Sequence, residues 1–525
     1  MATPSDVTAI RETFEAADQG HVFAHYDALD ASQRASLSAS LAAIGDPHRA
    51  ASIYARSTAA HAANASSDGS GDPAGSSLYY APVAADDGVD TADASVVARW
   101  TEEGIAIARR GELAVVLLAG GQGTRLGSAD PKGMYDIGLP RHRSLFQFQA
   151  ERLLKLTRLA GKEGEGVGER AIVPWYVMTS PHTHAATVEY FREKNHFGLP
   201  ESEITFFQQG TLPCFDDDGK MIMKSRHEVA TAPDGNGGLY AALHASGAID
   251  DMRRRNVKHV YAYCVDNALV KPGDPTFVGF CALRNVAAGA KVIAKAAADE
   301  PVGVFTRRDG KVHVVEYSEM PAALATATDA DTGKLTYDCA NVALHYYSFD
   351  FLAKCCDPDG EVQKALTYHV ARKKIPRLSD DDATTTTPES PNGVKLEAFI
   401  FDALQFAGDS VAFLRGVRED DFAPVKNAEG TGKDSPDTAR KLVSGQHVRW
   451  IEKHGGSVVY NMDDAGWEIA PAVSYAGEGL EEIVKKKGAF PFMAYRDNLE
   501  PDLEEARRKR TAGAVAAEDA RMAKK

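Results

Sequence analysis

One segment constrains this chain more than any other. Leu113-Ala-Val-Val-Leu-Leu118 is an unbroken apolar run of strand length, the pattern of a strand covered on both faces. It breaks at once into four glycines within eight residues, Gly120, Gly121, Gly123 and Gly127. Glycine admits positive φ and lets backbone N–H groups come close to a ligand, because no Cβ intervenes. Successive exposed N–H groups form a concave anion site. Arg125 and Lys132 add two cations to the same loop. Pro131 stiffens the approach to Lys132 and biases Asp130 toward an extended backbone. A multiply charged anion, most simply a nucleoside triphosphate, is the guest that such a loop suits.

Two commoner uses of a glycine-rich loop fail on spacing. A dinucleotide fingerprint needs G-x-G-x-x-G, and Gly121-x-Gly123 continues x-x-x-Gly127. A P-loop needs G-x-x-x-x-G-K-[ST], and Lys132 stands between Pro131 and Gly133. A plain tight turn remains the alternative for any isolated glycine pair. It accounts poorly for four glycines with two fixed cations.

Strand and helix alternate beyond the loop. Ser144-Leu-Phe-Gln147 has a capping-box pattern, and Leu145, Phe148, Leu153, Leu156 and Leu159 supply an apolar helical face that should end near Gly161. Residues 161–168 read as a mobile connection. Strands are expected at 172–178, 204–207 and 260–265, and helices at 185–194, 239–255 and 276–287. This order predicts an α/β fold with a doubly wound, parallel sheet, in which ligands bind beyond the carboxyl ends of strands. The glycine loop, Gln209 and Asp266 all fall at such ends. Asp309-Gly310 between two apolar runs reads as a hairpin that makes the sheet mixed. The polar residues 384–387 read as a surface loop.

Two or three domains are expected for 525 residues. Residues 1–110 form a helical N-terminal region, with Val7, Ile10, Phe14 and Leu37, Leu41, Ile44 at helical spacing and an Ala/Ser/Gly-rich, flexible segment over 57–95. Residues 111–400 form the catalytic α/β domain. Residues 401–525 form a smaller C-terminal domain with a charged helical tail from Pro501. The net charge of −15 argues against a nucleic-acid surface, so a phosphate ligand must be drawn by local Lys and Arg. No apolar run approaches the ~18 residues of a membrane span. The first twenty residues carry Asp6, Arg11, Glu12 and Glu15 without an apolar core, and six cysteines form no C-x-x-C. A cytoplasmic protein with reduced thiols is expected, with no membrane and no nucleic-acid partner.

Asp266 ends the apolar run Tyr261-Ala-Tyr-Cys-Val265 as its one carboxylate. Magnesium takes one or two carboxylates together with substrate phosphates. A strand-end aspartate also serves as a turn or cap residue, but beside a phosphate loop the metal role is favoured. Ala232-Pro-Asp-Gly-Asn-Gly-Gly238 packs glycines before a second helix start, which suits either close backbone approach to a ligand or a plain loop. Gln209 offers the donor and acceptor that a uracil edge needs. Phe399 and Phe401 alternate as on a strand and suit pocket or core equally.

The motifs occur together in a familiar order. Leu118-Ala-Gly-Gly-Gln-Gly-Thr-Arg-Leu-Gly127 with Pro131-Lys-Gly-Met-Tyr-Asp136, then Phe206-Phe-Gln-Gln-Gly210, residues 232–240, Tyr263-Cys-Val-Asp-Asn267, Glu316-Tyr-Ser-Glu319, Pro391-Asn-Gly-Val-Lys395 and Lys426-Asn-Ala428 resemble the eukaryotic UDP-N-acetylhexosamine pyrophosphorylases. The resemblance covers roughly 113–442. It implies a Rossmann-like nucleotidyltransferase fold and a reaction between UTP and N-acetylglucosamine 1-phosphate that releases pyrophosphate. It implies UTP contacts at Leu118, Ala119, Gly120, Gly121, Lys132, Gln209, Gly235, Asp266 and Lys395. It places the sugar against Asn236, Glu316, Tyr317, Asn341 and Lys426. Arg125, Lys132, Lys395 and Lys426 neutralise charge in catalysis, and Asp266 holds Mg²⁺. The chain departs from the family at Leu344, where a second Asn is more usual. Other sugar 1-phosphates (glucose or galactosamine type) and a catalytically silent UDP-sugar sensor are the alternatives; a nicotinamide-dependent oxidoreductase lacks its fingerprint here. A monomer or homodimer is expected.

Overall fold

A computed structural model describes residues 4–67, 80–161, 170–379, 381, 384–459, 466–487 and 489–491. An eleven-stranded mixed sheet forms its centre. Across it run Asp87–Gly88, Val411–Arg415, Ala288–Ala294, Cys339–Ser348, His259–Cys264, Leu113–Leu118, Trp175–Thr179 and Ile204–Gln208. Neighbours along this path are parallel except at Cys339–Ser348, which is antiparallel on both sides. The expected hairpin forms as Val304–Arg308 against Lys311–Val315 and joins the sheet through Val304 and Ala340.

The apolar run 113–118 has its sequence because the sheet is covered on both faces. Leu113, Val115 and Leu117 point into one core with Phe146, Leu153, Leu156 and Phe277. Ala114, Val116 and Leu118 point into the other with Tyr176, Leu243 and Met252. The helix Leu145–Leu159 begins where Ser144 accepts a hydrogen bond from the Gln147 amide at 3.2 Å. Gln147 does not reciprocate; its side chain donates to Glu151 instead. The helix expected at 239–255 is broken in two at Gly247, whose φ of 74° no α-helix accommodates.

Elements on either side of residues 111–400 join the central sheet and its cover. Helix Ala94–Arg109 packs on the helix Pro275–Leu283 beside the sheet, with Gly104 against the Pro275 carbonyl and Gly279 against the Trp100 carbonyl. Strand Val411–Arg415 lies within the central sheet, so that sheet continues past residue 401. Much of the segment expected to be flexible is structured. Residues 57–67 complete the helix Pro47–Ser67, consistent with the high helix propensity of alanine, and Ala81–Pro82 and Asp87–Gly88 pair with sheet strands. Within the polar insertion, Thr385–Thr386 pair with Arg377–Leu378. Residues 162–169 of the expected connection and the tail from Pro501 lie outside the described residues.

Smaller cores lie outside the sheet, and two of them bear on the site. The N-terminal helices pack Phe14, Leu37, Leu41 and Ile53 onto Phe215, Met221, Val394 and Leu396. A second cluster joins Leu126 of the glycine loop to Ala268, Val425, Ala439 and Val443. That cluster lets a C-terminal segment reach the loop.

Candidate active site

The glycine loop leaves strand Leu113–Leu118 with one more ladder bond, from the Ala119 amide to the Met178 carbonyl, at 2.7 Å. It then folds on itself. Gln122 and Pro131 form an antiparallel bridge, and the Lys132 amide donates to the Gly121 carbonyl at 3.1 Å. Arg125 and Lys132 each sit on a short 3₁₀ turn, Thr124–Leu126 and Lys132–Met134. Of the four glycines, only Gly127 uses positive φ, at 78°. Gly120 serves a different purpose, since a methyl there would displace the Gln209 side-chain amide from its place over the loop. Gly121 has open space beside it, on a loop otherwise closed by backbone bonds.

Gln122, Thr124, Arg125, Leu126, Lys132, Asp266 and Lys426 line one cleft of about 330 Å³. Asp266 follows strand His259–Cys264, parallel to the loop strand, so both strand ends open on the same side. The Lys132 ammonium lies 3.5 Å from Asp266 Oδ2, with both side chains mostly buried. Two residues before Asp266, burial pushes the Cys264 thiol up to about 12, so it is neutral and no nucleophile at neutral pH.

Lys426 arrives from more than 150 residues away by a continuous chain of backbone and side-chain bonds. Buried Asn267 accepts the Leu269 and Ala423 amides and donates to the Asp421 carbonyl at 2.7 Å. The Val425 amide donates to the Asp266 carbonyl at 2.9 Å, which places the next residue over the cleft. Asp421 is anchored in turn by a buried ion network. Lys291 donates to Asp421 at 2.6 Å and to Asp274 at 2.8 Å, and Lys271 lies 3.1 Å from Asp421. Burial alone would raise the Asp421 carboxyl, but Lys271 and Lys291 outweigh it and hold the group at about 2.

Around the cleft the other sequence candidates fall into two groups. Gln209 follows strand Ile204–Gln208, is buried, and packs on Gly120. Gly235, at φ 85°, lies against the Ala398 backbone, and Asn236 accepts the Ile400 amide at 2.9 Å. Under this turn Asp234 is buried between Gly210 and Gly238, and burial pushes its carboxyl up to about 7. The second group gathers at Gly303. The Asn341 amide donates to the Gly303 carbonyl at 2.9 Å, and the Glu316 carboxylate fills the space that a β-carbon on Gly303 would take. Asn341 Oδ1 also accepts the Ala343 amide at 3.0 Å. Glu316 is raised by burial, with His369 and Lys426 opposing. Tyr317 is 55% exposed beside it.

Lys395 is the one expected phosphate ligand that the structure does not bring to the cleft wall. It lies on strand Gly393–Glu397 with its ammonium 3.5 Å from Glu397. Leu344 is buried in the sheet core, and Phe401 packs into the core while Phe399 is only half-buried. Gln122 and Thr124 line the cleft although loop spacing alone did not single them out. His369 and Asp402 belong to no motif of the sequence, and Glu319 closes the motif Glu316-Tyr-Ser-Glu319 without a role assigned to it there. Among the described residues there is no cluster of three or more His, Cys, Asp or Glu suited to a metal, and no helix is long and apolar enough to cross a membrane.

Comparison with known proteins agrees with this arrangement. Residues 82–498 match the UTP–glucose-1-phosphate uridylyltransferase family. UDP-N-acetylglucosamine diphosphorylase 2 of Arabidopsis thaliana is 46% identical over 393 residues, covering 74% of this chain and 76% of that protein. UDP-N-acetylglucosamine pyrophosphorylase of Saccharomyces cerevisiae is 43% identical over 379 residues, covering 72% and 77%. The crystal structure of the Trypanosoma brucei uridine diphosphate N-acetylglucosamine pyrophosphorylase superposes with a TM-score of 0.79 at 28% identity, covering 95% of this chain and all of that one. The chain therefore belongs to the UTP–glucose-1-phosphate uridylyltransferase family, in its UDP-N-acetylhexosamine pyrophosphorylase branch.

Proposed function

We propose that this protein is a UTP:N-acetylglucosamine-1-phosphate uridylyltransferase that makes UDP-N-acetylglucosamine and pyrophosphate. The observation that carries the mechanism is the convergence of Arg125, Lys132 and Lys426 with Asp266 on one cleft at the carboxyl ends of two parallel strands. A phosphate oxygen of the sugar 1-phosphate attacks the α-phosphorus of UTP in line. The new P–O bond forms as the bond to the bridging oxygen breaks, and pyrophosphate leaves with that electron pair. No protein nucleophile is needed; positioning and charge neutralisation supply the rate.

The chain's residues divide this work. Arg125 and Lys132 face the phosphates and offset the charge that shifts onto the leaving pyrophosphate. Lys426 approaches from the opposite wall to hold the sugar phosphate. Gln209 reads the base above Gly120, and the turn at Gly235 and Asn236 closes on the nucleoside and sugar. Glu316 and Asn341 accept sugar hydroxyls. Lys395 takes part only after a movement that separates it from Glu397. One carboxylate among cations fits a magnesium ion shared with substrate phosphates, and Asp266 is the residue to hold it. When bound, Mg²⁺ adds Lewis-acid neutralisation of the phosphate oxygens.

Purified protein with Mg²⁺ and UTP should release pyrophosphate with N-acetylglucosamine 1-phosphate at rates well above those with glucose 1-phosphate. Coupled pyrophosphate assays over a panel of nucleotides and sugar phosphates test this. Equal rates with both sugars would overturn the N-acetylhexosamine assignment. Lys426→Ala should lower turnover about tenfold with both substrates saturating, because the charge is missing in the transition state as well as the ground state. Lys426→Arg should recover only part, since a planar guanidinium does not replace a point charge. Unaltered kinetics in Lys426→Ala would remove the C-terminal segment from catalysis.

A further inference from the structure

His369 begins the strand His369–Lys373, which pairs with Gly393–Glu397. Alternation sends Val370, Val394 and Leu396 into the core shared with the N-terminal helices, and turns His369 the other way. There its ring is held on three sides. Nε2 lies 3.2 Å from Asp402 Oδ1, Nδ1 lies 3.7 Å from Glu319 Oε1, and the ring centroid is 4.5 Å from that of Phe399. Asp402 spends its other oxygen on the Phe399 amide, at 2.7 Å. The next amide, Ile400, is the one bonded to Asn236. A neutral imidazole has one donor and one acceptor nitrogen. With a carboxylate facing each nitrogen, the imidazolium is the form that satisfies both.

We propose that His369 is a positioning residue for the sugar, a fixed cation that locks Glu319, Asp402 and Phe399 into one wall and supports the sugar-facing Glu316. The inference rests on the reading that Glu316 accepts sugar hydroxyls. Charged groups from several elements face this wall. Glu316 and Glu319 come from the segment after the hairpin, Asp402 from the 3₁₀ helix Ile400–Ala407, and His61 of the N-terminal helix acts on Glu319. Lys426 acts on Glu316 from the cleft. His313 is also within the influence of Asp402, and burial lowers it. Glu397, the cross-strand partner, is turned to Lys395. Burial opposes the charge on His369, yet Asp402 and Glu319 outweigh it and hold the ring at about 10. At Glu316 burial favours the neutral acid and His369 is the first influence against it. Without that cation, Glu316 takes up a proton at higher pH and loses an acceptor for the sugar.

His369→Gln keeps a donor of similar reach and removes the charge. Its KM for the sugar 1-phosphate should rise relative to wild type, and the gap should widen as pH falls, with the KM for UTP little changed at every pH. His369→Lys should restore the wild-type pH profile even at a lower rate. A merely structural role predicts equal losses at every pH and for both substrates, and that result would overturn the proposal. So would a Glu316→Gln background in which His369→Gln still causes the full pH-dependent loss. Histidine-labelled wild-type protein gives a readout independent of the variants' folding: the His369 ring resonances should stay those of the imidazolium through neutral pH. A midpoint near the ordinary histidine value would refute the locked cation. Wild-type protein that turns over no N-acetylhexosamine 1-phosphate would instead remove the functional reading, and the inference with it.

Discussion

Asp266→Asn should lower turnover by about two to three orders of magnitude, roughly 3–4 kcal/mol of barrier, while the protein stays folded. The substitution preserves size and the carbonyl that accepts the Val425 amide, so the connection to the C-terminal segment survives. It removes the one carboxylate among three cations of the cleft. Thermal unfolding should shift little, because an amide oxygen at this position can still accept from the Lys132 ammonium. The informative measurement is turnover against Mg²⁺ concentration. The variant should need far more metal to reach its own maximum, since an amide oxygen binds a hard dication more weakly than a carboxylate does. Near-normal turnover at limiting Mg²⁺ would make Asp266 a partner of Lys132 and nothing more.

The parts of this fold legible in sequence are those whose residues meet the solvent or the core on terms they set locally. Strand Leu113–Leu118 was bounded to the residue because both of its faces are apolar and its end is marked by glycine. Helix Leu145–Leu159 was visible in its cap and its apolar face. Strand Ala288–Ala294 was not, because Lys291 interrupts its apolar run. That lysine is buried, and its compensation comes from Asp274 and Asp421, which only the folded chain brings to it. Strand Cys339–Ser348 was concealed in the same way by Asn341 and His345, and by a register shift opposite Ala343, which sits at φ 55°. Its polar residues answer each other, with His345 Nε2 3.2 Å from Asn341 Oδ1.

The candidate site divides along the same line. The anion loop could be read from composition, since glycine density and fixed cations are properties of adjacent residues. The family resemblance extended that reading to Lys426, and the structure supplies the physical route, through Asn267 and the small core that joins Leu126 to Val425. His369 had no comparable signal. Its role depends on Glu319 from one segment and on Phe399 and Asp402 from another, and their meeting with His369 is a property of topology.

Lys132→Ala should cost about 3 kcal/mol in the barrier, a factor of about 10²–10³ in turnover, with a smaller change in the KM for UTP. The side chain is positioned before substrate arrives. Its amide is tied to the Gly121 carbonyl, Pro131 precedes it, and its ammonium is drawn to Asp266. A charge held in place costs no reorganisation when negative charge shifts onto the leaving pyrophosphate, and that is why its effect belongs to turnover. Arg125 shares the loop but lies on the separate turn Thr124–Leu126, so it does not inherit the contact with Asp266. The contact makes a second, sharper test possible. Groups that act as a unit in catalysis lose less together than the sum of their separate losses. Lys132→Ala combined with Asp266→Asn should therefore fall short of the two effects multiplied, whereas Arg125→Ala with Asp266→Asn should come nearer to the full product. Lys132→Arg should recover part of the rate, limited by the different shape of the guanidinium. If Lys132→Ala instead raised only the KM for UTP and left turnover intact, the lysine would be an anchor for the ground state, and the neutralisation of the leaving pyrophosphate would have to rest on Arg125 and the metal.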